Sequence, residues 1–222
     1  MRPINLSLAP AAASATQVVN TTGTGITTGT ALTIANGTLD VPRQVIVTTS
    51  SASDNSQLVN IVGTNYNGQT ISESITTNSS AAVASVGYYK TITSATYVGT
   101  TTVGTIAVGT NGVSSTVVIP LDVNAVPTNA TVQVQVVGTV TYTVEYTEND
   151  CYGTTSSAGP WAATASFDTP ASPALWTTLS GFASGSTSVV GNIAYPARAL
   201  RARITAGSGS INMTVIQSGP IS

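Results

Sequence analysis

The first residue that could do chemistry is Glu73, in "NYNGQTISESITT" (65–77). Side chains of a strand alternate between faces, so Ile71, Glu73 and Ile75 share one side and Ser72, Ser74 and Thr76 the other. A carboxylate between two isoleucines could serve as a general acid, but acid–base catalysis needs a second group with a separated pKa, and no second carboxylate follows at useful spacing. A cation provides a better explanation. In "VPRQVIV", Arg43 interrupts the apolar line of Val41, Val45 and Val47, and Lys90 does the same between Tyr88 and Ile92. A buried carboxylate left alone is driven to its neutral form, whereas arginine keeps it charged and gives two hydrogen bonds. The expectation is a structural ion pair of Glu73 with Arg43, with Lys90 as the substitute partner. The alternative is an exposed or subunit-contacting face on which none of the three is buried.

"PARALRAR" (196–203) holds Arg198, Arg201 and Arg203, half of the six Lys and Arg residues of the chain. A phosphate site would need a glycine-rich loop leading into a helix, or aromatic interleaving for base stacking, and the sequence has neither. These arginines are expected on an outer face, as interface candidates or as partners of Glu145, Glu148, Asp150 or a neighbouring subunit. "ENDCY" (148–152) offers oxygen ligands, but lacks the glycine and distal glutamate of a calcium loop. Trp161 and Trp176 could stack on sugar rings, or act as core or interface anchors. The chain has no histidine and a single cysteine, Cys151. The usual base for a serine or cysteine nucleophile is therefore missing, and no internal disulfide can form. No catalytic residue, metal or cofactor is expected, and the chain reads as a non-enzyme.

The elements that must position these groups read as strands. The chain has 222 residues, 6% charged, with a formal net charge of −2. That balance offers no basic surface for nucleic acid. No segment has the length of a membrane-spanning helix. Val, Ile and Thr dominate, which favours a folded all-β protein over disorder. Expected strands are 31–35, 43–49, 57–64, 70–77, 87–93, 95–100 and 104–110, parted by Gly, Asn and Ser in the manner of a sandwich or barrel. Around Asn67-Gly68, the hydrophobic register favours a loop of three or five residues that matches Ile61 with Ile75. In "TVQVQVVGTVTYTVEYT" (131–147), Val132, Val134, Val136, Val140, Tyr142, Val144 and Tyr146 share a face, and Gly138 marks a hairpin turn or a bend. "RARIT", "AGSG" and "SINMTVIQ" read as a terminal hairpin with Ile204 opposite Ile211, Ala202 opposite Met213 and Leu200 opposite Val215. The proline-bearing stretch 117–130 divides the chain into an N-terminal arm (1–16) and two antiparallel β-sandwich or jelly-roll-like domains in tandem, 17–122 and 123–222. The opening residues imitate a secretory signal, but Asn5, Ser7 and Pro10 break the apolar stretch, favouring an arm.

The runs "LVNIVGTNYNGQTISESITT", "GYYKTITSATYVGTTTVGTIAVGTNG", "TYTVEYT" and "YPARALRARITAGSGSINMTVIQSG" resemble the Thr-, Val- and Gly-rich virion structural proteins of tailed bacteriophages. The resemblance spans most of the chain and rests on repeated phrases rather than on a diagnostic motif, so it assigns no binding residues. It implies a non-enzymatic virion component, foremost a capsid decoration or cement protein on the capsid surface. The partners implied are the major capsid protein and further copies of the chain, with a trimer favoured. A neck, tail or baseplate component and a carbohydrate-binding or adhesive β-module are the alternatives.

Overall fold

A computed structural model describes residues 3–122, 129–149, 151, 170 and 173–217. The fold is all-β and its strand pairs are antiparallel. The chain divides into two compact units, one of residues 11–112 and one combining 1–10 with 113–222. The boundary therefore falls near residue 112 rather than in the proline-bearing stretch. The expected N-terminal arm is built into strands: β1 (Ile4–Leu8) belongs to the unit formed by the C-terminal half, and β2 (Ser14–Val19) to the other. The physical reason is alternation, since Ile4, Leu6 and Leu8 offer an edge strand one face to bury.

In the 11–112 unit, β3 (Thr38–Thr49), β4 (Leu58–Thr64), β5 (Thr70–Thr76), β6 (Val83–Ala84), β7 (Tyr89–Val98) and the first part of β8 (Ile106–Ser115) join β2. The hydrogen-bonded order is β8-β3-β7-β4-β5, with β2 on β8 and β6 on β3. Val45, Val47, Val59, Ile61, Ile71, Ile75, Tyr89 and Tyr97 fill the core from inward-facing positions of these strands. The expected strand at 31–35 reduces to isolated bridges, Ala31 to Thr96 and Ile34 to Val19. The expected strands 87–93 and 95–100 are one strand, β7, with a bulge: Val62 faces Ser94 and Gly63 faces Ile92, leaving Thr93 over. Glycine is required at 63 because a Cβ there would collide with the carbonyl of Thr91. The β4–β5 connection is five residues, 65–69, but Ile61 faces Glu73 and Val59 faces Ile75. The parity of the expected register holds and its offset is two residues. Asn65 sets the offset, its side-chain oxygen accepting the amides of Asn67 and Gln69 and so fixing where the loop begins.

The other unit contains β1, the end of β8, β9 (Ile119–Pro120), β10 (Ala130–Val137), β11 (Val140–Thr147), β12 (Thr177–Thr178), β13 (Val189–Ile193), β14 (Ala199–Gly207) and β15 (Ser210–Gln217). The order β1-β15-β10-β13 forms one sheet, and β12-β11-β14 forms the other, with β9 and the end of β8 on β14. The expected terminal hairpin does not form, because β14 and β15 lie in different sheets. Instead β10 runs into β11 as β14 runs into β15, and the two long segments pair with each other. Ala130 to Val137 face Gln217 to Ser210, and the same register continues with Val140 on Gly207 and Thr141 on Ala206. The result is one antiparallel ribbon, bent at a shared corner so that each arm enters its own sheet. Gly138 (φ 79°) and Gly207 (φ 97°) hold the corner in left-handed backbone, and the Ser208 and Gly209 amides both donate to Thr139 O at 3.0 and 2.8 Å. Ile204, Ile211, Met213, Val215, Val132, Val134, Tyr142 and Val144 are all buried, so the face assignments hold although the expected cross-strand pairs do not. Phe182 ties the sheets together: its carbonyl accepts from Val144 of β11, and its ring lies against Gly191 of β13.

Candidate functional site

Charged side chains gather in two places, one in each unit. In the 11–112 unit the cause is an irregularity in β3. From the pair Thr38–Thr91 to the pair Arg43–Tyr89, β3 advances five residues while β7 retreats two, so three residues of β3 are in excess. Such a bulge strands backbone carbonyls. The Lys90 ammonium fills the gap, donating to Leu39 O and Asp40 O, each at 2.8 Å. The bulge also brings Asp40 beside Arg43, whose side chain is fully buried. Arg43 Nη1 donates to Asp40 Oδ1 at 3.1 Å and Nη2 to the carbonyl of Asn111 at 2.7 Å. The second Asp40 oxygen accepts the Ala11 amide at 2.6 Å. Burial alone would raise the Asp40 pKa, but the amides of Ala11 and Val41 and the Arg43 guanidinium outweigh it and hold the carboxyl below its ordinary value.

Glu73 is half-buried and takes no part in that cluster. Its two oxygens accept the consecutive amides of Val86 and Gly87 at 2.7 and 3.1 Å. The expected ion pair of Glu73 with Arg43 or Lys90 is thus replaced by three separate arrangements. The reason is local: the β3 bulge offers Arg43 a carboxylate three residues away and offers Lys90 two free carbonyls, while a turn beyond β6 offers Glu73 two adjacent donors. The Glu73 charge is still felt nearby, since the fully buried Tyr89 phenol has its pKa raised by burial and further by Glu73.

Asp54 repeats the Glu73 arrangement. It is 3% exposed, and its oxygens accept the amides of Val103 and Gly104, each at 2.8 Å. Sequence reasoning missed it because an aspartate in "SASDNSQ" reads as a turn residue and its partners lie 49 and 50 residues further on. The one hint was its placement in a run of serines, where no other group could bind an amide pair as a charged acceptor.

In the second unit, β11 and β14 place Glu145 directly opposite Arg201. Arg201 Nε donates to Glu145 Oε2 and Arg203 Nη1 to Oε1, both at 2.8 Å. Glu145 and Arg201 are buried, while the Arg203 side chain is 25% exposed. Trp176, immediately before β12, is carried over this pair by the pairing of Thr177 and Thr178 with Tyr146 and Glu145. Its ring lies 4.0 Å from the Arg201 guanidinium carbon, a cation–π contact that also shields the ion pair. Of the acidic partners expected for these arginines, Glu145 is the one that meets Arg201 and Arg203 among the described contacts, and the expectation of exposure is corrected for Arg201, because Trp176 covers it. Arg198 is exposed, and its backbone bonds Thr147 and Leu121.

In "ENDCY", Asn149 is a loop staple whose side-chain oxygen accepts the Leu175 amide at 2.7 Å, and Cys151 is buried. Asp150, Tyr152 and the interface candidate Trp161 lie outside the described residues. Among the described residues no group of three or more His, Cys, Asp or Glu converges as metal ligands would. What these clusters do chemically is close the fold. Carboxylates hold pairs of amides, cations hold bulge carbonyls, and Glu145 gathers two arginines from the adjacent strand. No protein-family model matches the chain, and no curated protein is significantly similar to it.

Proposed function

We propose that the protein is a structural component of a tailed-bacteriophage virion, in the first place a capsid decoration or cement protein. One observation carries this reading: the four strands of the sheet β1-β15-β10-β13 contain no charged residue. The outer face of that sheet presents exposed hydroxyls and amides, Gln133, Gln135 and Asn212 among them, with the exposed apolar side chains of Val190 and Ile216. Taking such a face out of water costs far less than burying charge, and each amide offers both a donor and an acceptor to a partner. Depletion of charge is also the compositional mark of an interface core. The partner of this reading is the major capsid protein, the copies act as a homo-oligomer with threefold symmetry favoured, and the protein stabilises the shell by binding its assembled form. The sugar-binding alternative loses support at Trp176, one ring face of which is occupied by Arg201.

The test is addition of the purified protein to capsids stripped of their decoration. Saturable binding at fixed stoichiometry with a higher capsid melting temperature is expected, and Gln133→Lys is expected to weaken it. Absence of binding, or labelling at the tail in electron micrographs of virions, would overturn the capsid assignment.

A further inference from the structure

We propose that the protein also self-associates through strand β5, whose free edge fits a second copy of itself about a two-fold axis at Glu73. Among the described residues β5 has one strand neighbour, β4, and their register runs without a bulge from Leu58–Thr76 to Thr64–Thr70. Just beyond the strand, the Thr77 amide donates to Gln57 O and its carbonyl accepts from Ser56. Backbone groups alternate in direction along a strand. The odd-numbered residues of β5 therefore turn theirs towards β4, and Thr70, Ser72, Ser74 and Thr76 turn theirs outward.

Natural sheets protect such edges with lysine, proline, bulges or brevity. Two other edges follow that rule, with β12 only two residues long and β1 set between Pro3 and Pro10. β5 has seven residues with no lysine, proline or bulge, and its one protective feature is the charge of Glu73 on the inward face. Its sequence, Thr-Ile-Ser-Glu-Ser-Ile-Thr, reads the same in both directions. An isologous contact requires a surface complementary to itself, and antiparallel pairing about Glu73 provides it. Thr70 then faces Thr76 of the copy, Ile71 faces Ile75, and Ser72 faces Ser74. The hydrogen-bonded positions of that ladder are the even-numbered residues, the same four whose backbone groups point outward. Centring the axis on Ser72 or Ser74 would also pair outward groups, but would shorten the overlap and set Glu73 against isoleucine.

The one unfavourable apposition is Glu73 with its own copy, since like charges directly opposite on adjacent strands repel. Each carboxylate is already held by the Val86 and Gly87 amides of its own chain. The contact is therefore expected to be reversible and to tighten when that charge is removed. It does not depend on the capsid reading, because a chain that fails to bind capsids would still pair through β5.

The experiment is sedimentation of the full chain over a concentration series, with hydrogen exchange of the 70–76 segment measured at each concentration. Dimers should appear as exchange in 70–76 slows. Ser72→Pro removes an outward amide without touching the bonds to β4 and should leave a folded chain that no longer pairs through β5. Glu73→Gln should lower the dimer Kd roughly two- to fivefold. A chain that stays monomeric throughout, dimers whose 70–76 exchange is independent of concentration, or a weaker Glu73→Gln dimer would overturn the proposal. If Ser72→Pro does not fold, the exchange profile of the unaltered chain decides.

Discussion

Replacing Glu145 by alanine tests how much of the stability of the second unit resides in its buried charges. The substitution removes the carboxylate opposite Arg201, which is 5% exposed and has Trp176 on one face. Removing one partner of a buried pair costs about 3–5 kcal/mol, most of it the penalty of a charge left without its counter-ion. Arg203 adds little, because its side chain is 25% exposed and an exposed pair contributes about 0.2–1 kcal/mol. The expected loss is thus roughly 3–5 kcal/mol for Glu145→Ala and about 1 kcal/mol or less for Arg203→Ala. For a unit of this size each kcal/mol moves the melting temperature by about 4–8 °C, so Glu145→Ala should lower it by more than 10 °C.

Urea unfolding followed by tryptophan fluorescence is the assay, since Trp176 stacks on the perturbed arginine and reports on that unit. A double-mutant cycle separates the couplings, and Glu145 should couple more strongly to Arg201 than to Arg203. A loss below about 1 kcal/mol for Glu145→Ala, or equal losses for the two single variants, would show that burial does not govern the energy of this cluster.

Three further outcomes follow from the geometry. Glu73→Ala should cost roughly 1–2 kcal/mol and speed hydrogen exchange at Val86 and Gly87, because a half-buried acceptor of two amides is lost; a loss above about 3 kcal/mol would point back to a buried ion pair. Asp40→Asn should destabilise the 11–112 unit at neutral pH, and the gap from the unaltered protein should close as pH falls below 3.8, the ordinary value from which the Asp40 pKa is lowered. A carboxyl with a depressed folded-state pKa contributes stability above its unfolded value and loses it as pH falls through the folded one, so a gap independent of pH would contradict the proposed hold on Asp40. Gly207→Ala should cost at least about 2 kcal/mol, measured by thermal melting, since it forces a side chain into left-handed backbone and against Thr139 O; a neutral effect would mean that the corner is not fixed by its glycines.

Side-chain parity was legible in the sequence, and partner choice was not. Period-two alternation assigned Ile71, Glu73 and Ile75 to one face and Leu200, Ala202, Ile204, Ile211, Met213 and Val215 to the core, and each is where alternation put it. Alternation cannot say whether two consecutive strands pair with each other or turn away into separate sheets, because both keep the same residues buried. That is why "RARIT" and "SINMTVIQ" read as a hairpin although they are two arms of a bent ribbon. The same limit explains the charges. Glu145 could be named among the partners of the arginines because it lies on a regular strand whose outer face could be read, but its place opposite Arg201 could not. Arg43, Lys90 and Glu73 depend on a three-residue excess in β3 and on a turn after β6, and neither leaves a periodic trace.

The distribution of charge links the fold to the proposed roles. Of the six Lys and Arg residues, Arg43, Lys90, Arg201 and Arg203 are bound to carboxylates or to backbone carbonyls. A chain with few charges that commits most of its cations to internal staples leaves little for its surface. With a net charge of −2, electrostatic repulsion between copies is weak and so is repulsion from any other neutral surface. Such an exterior favours association, and the fold meets that tendency differently at different edges. Short and proline-flanked edges discourage it at β12 and β1, whereas at the long symmetric edge of β5 only the Glu73 charge opposes it. In the proposed roles, contact between protein surfaces follows from where the charges were spent rather than from a separate binding motif.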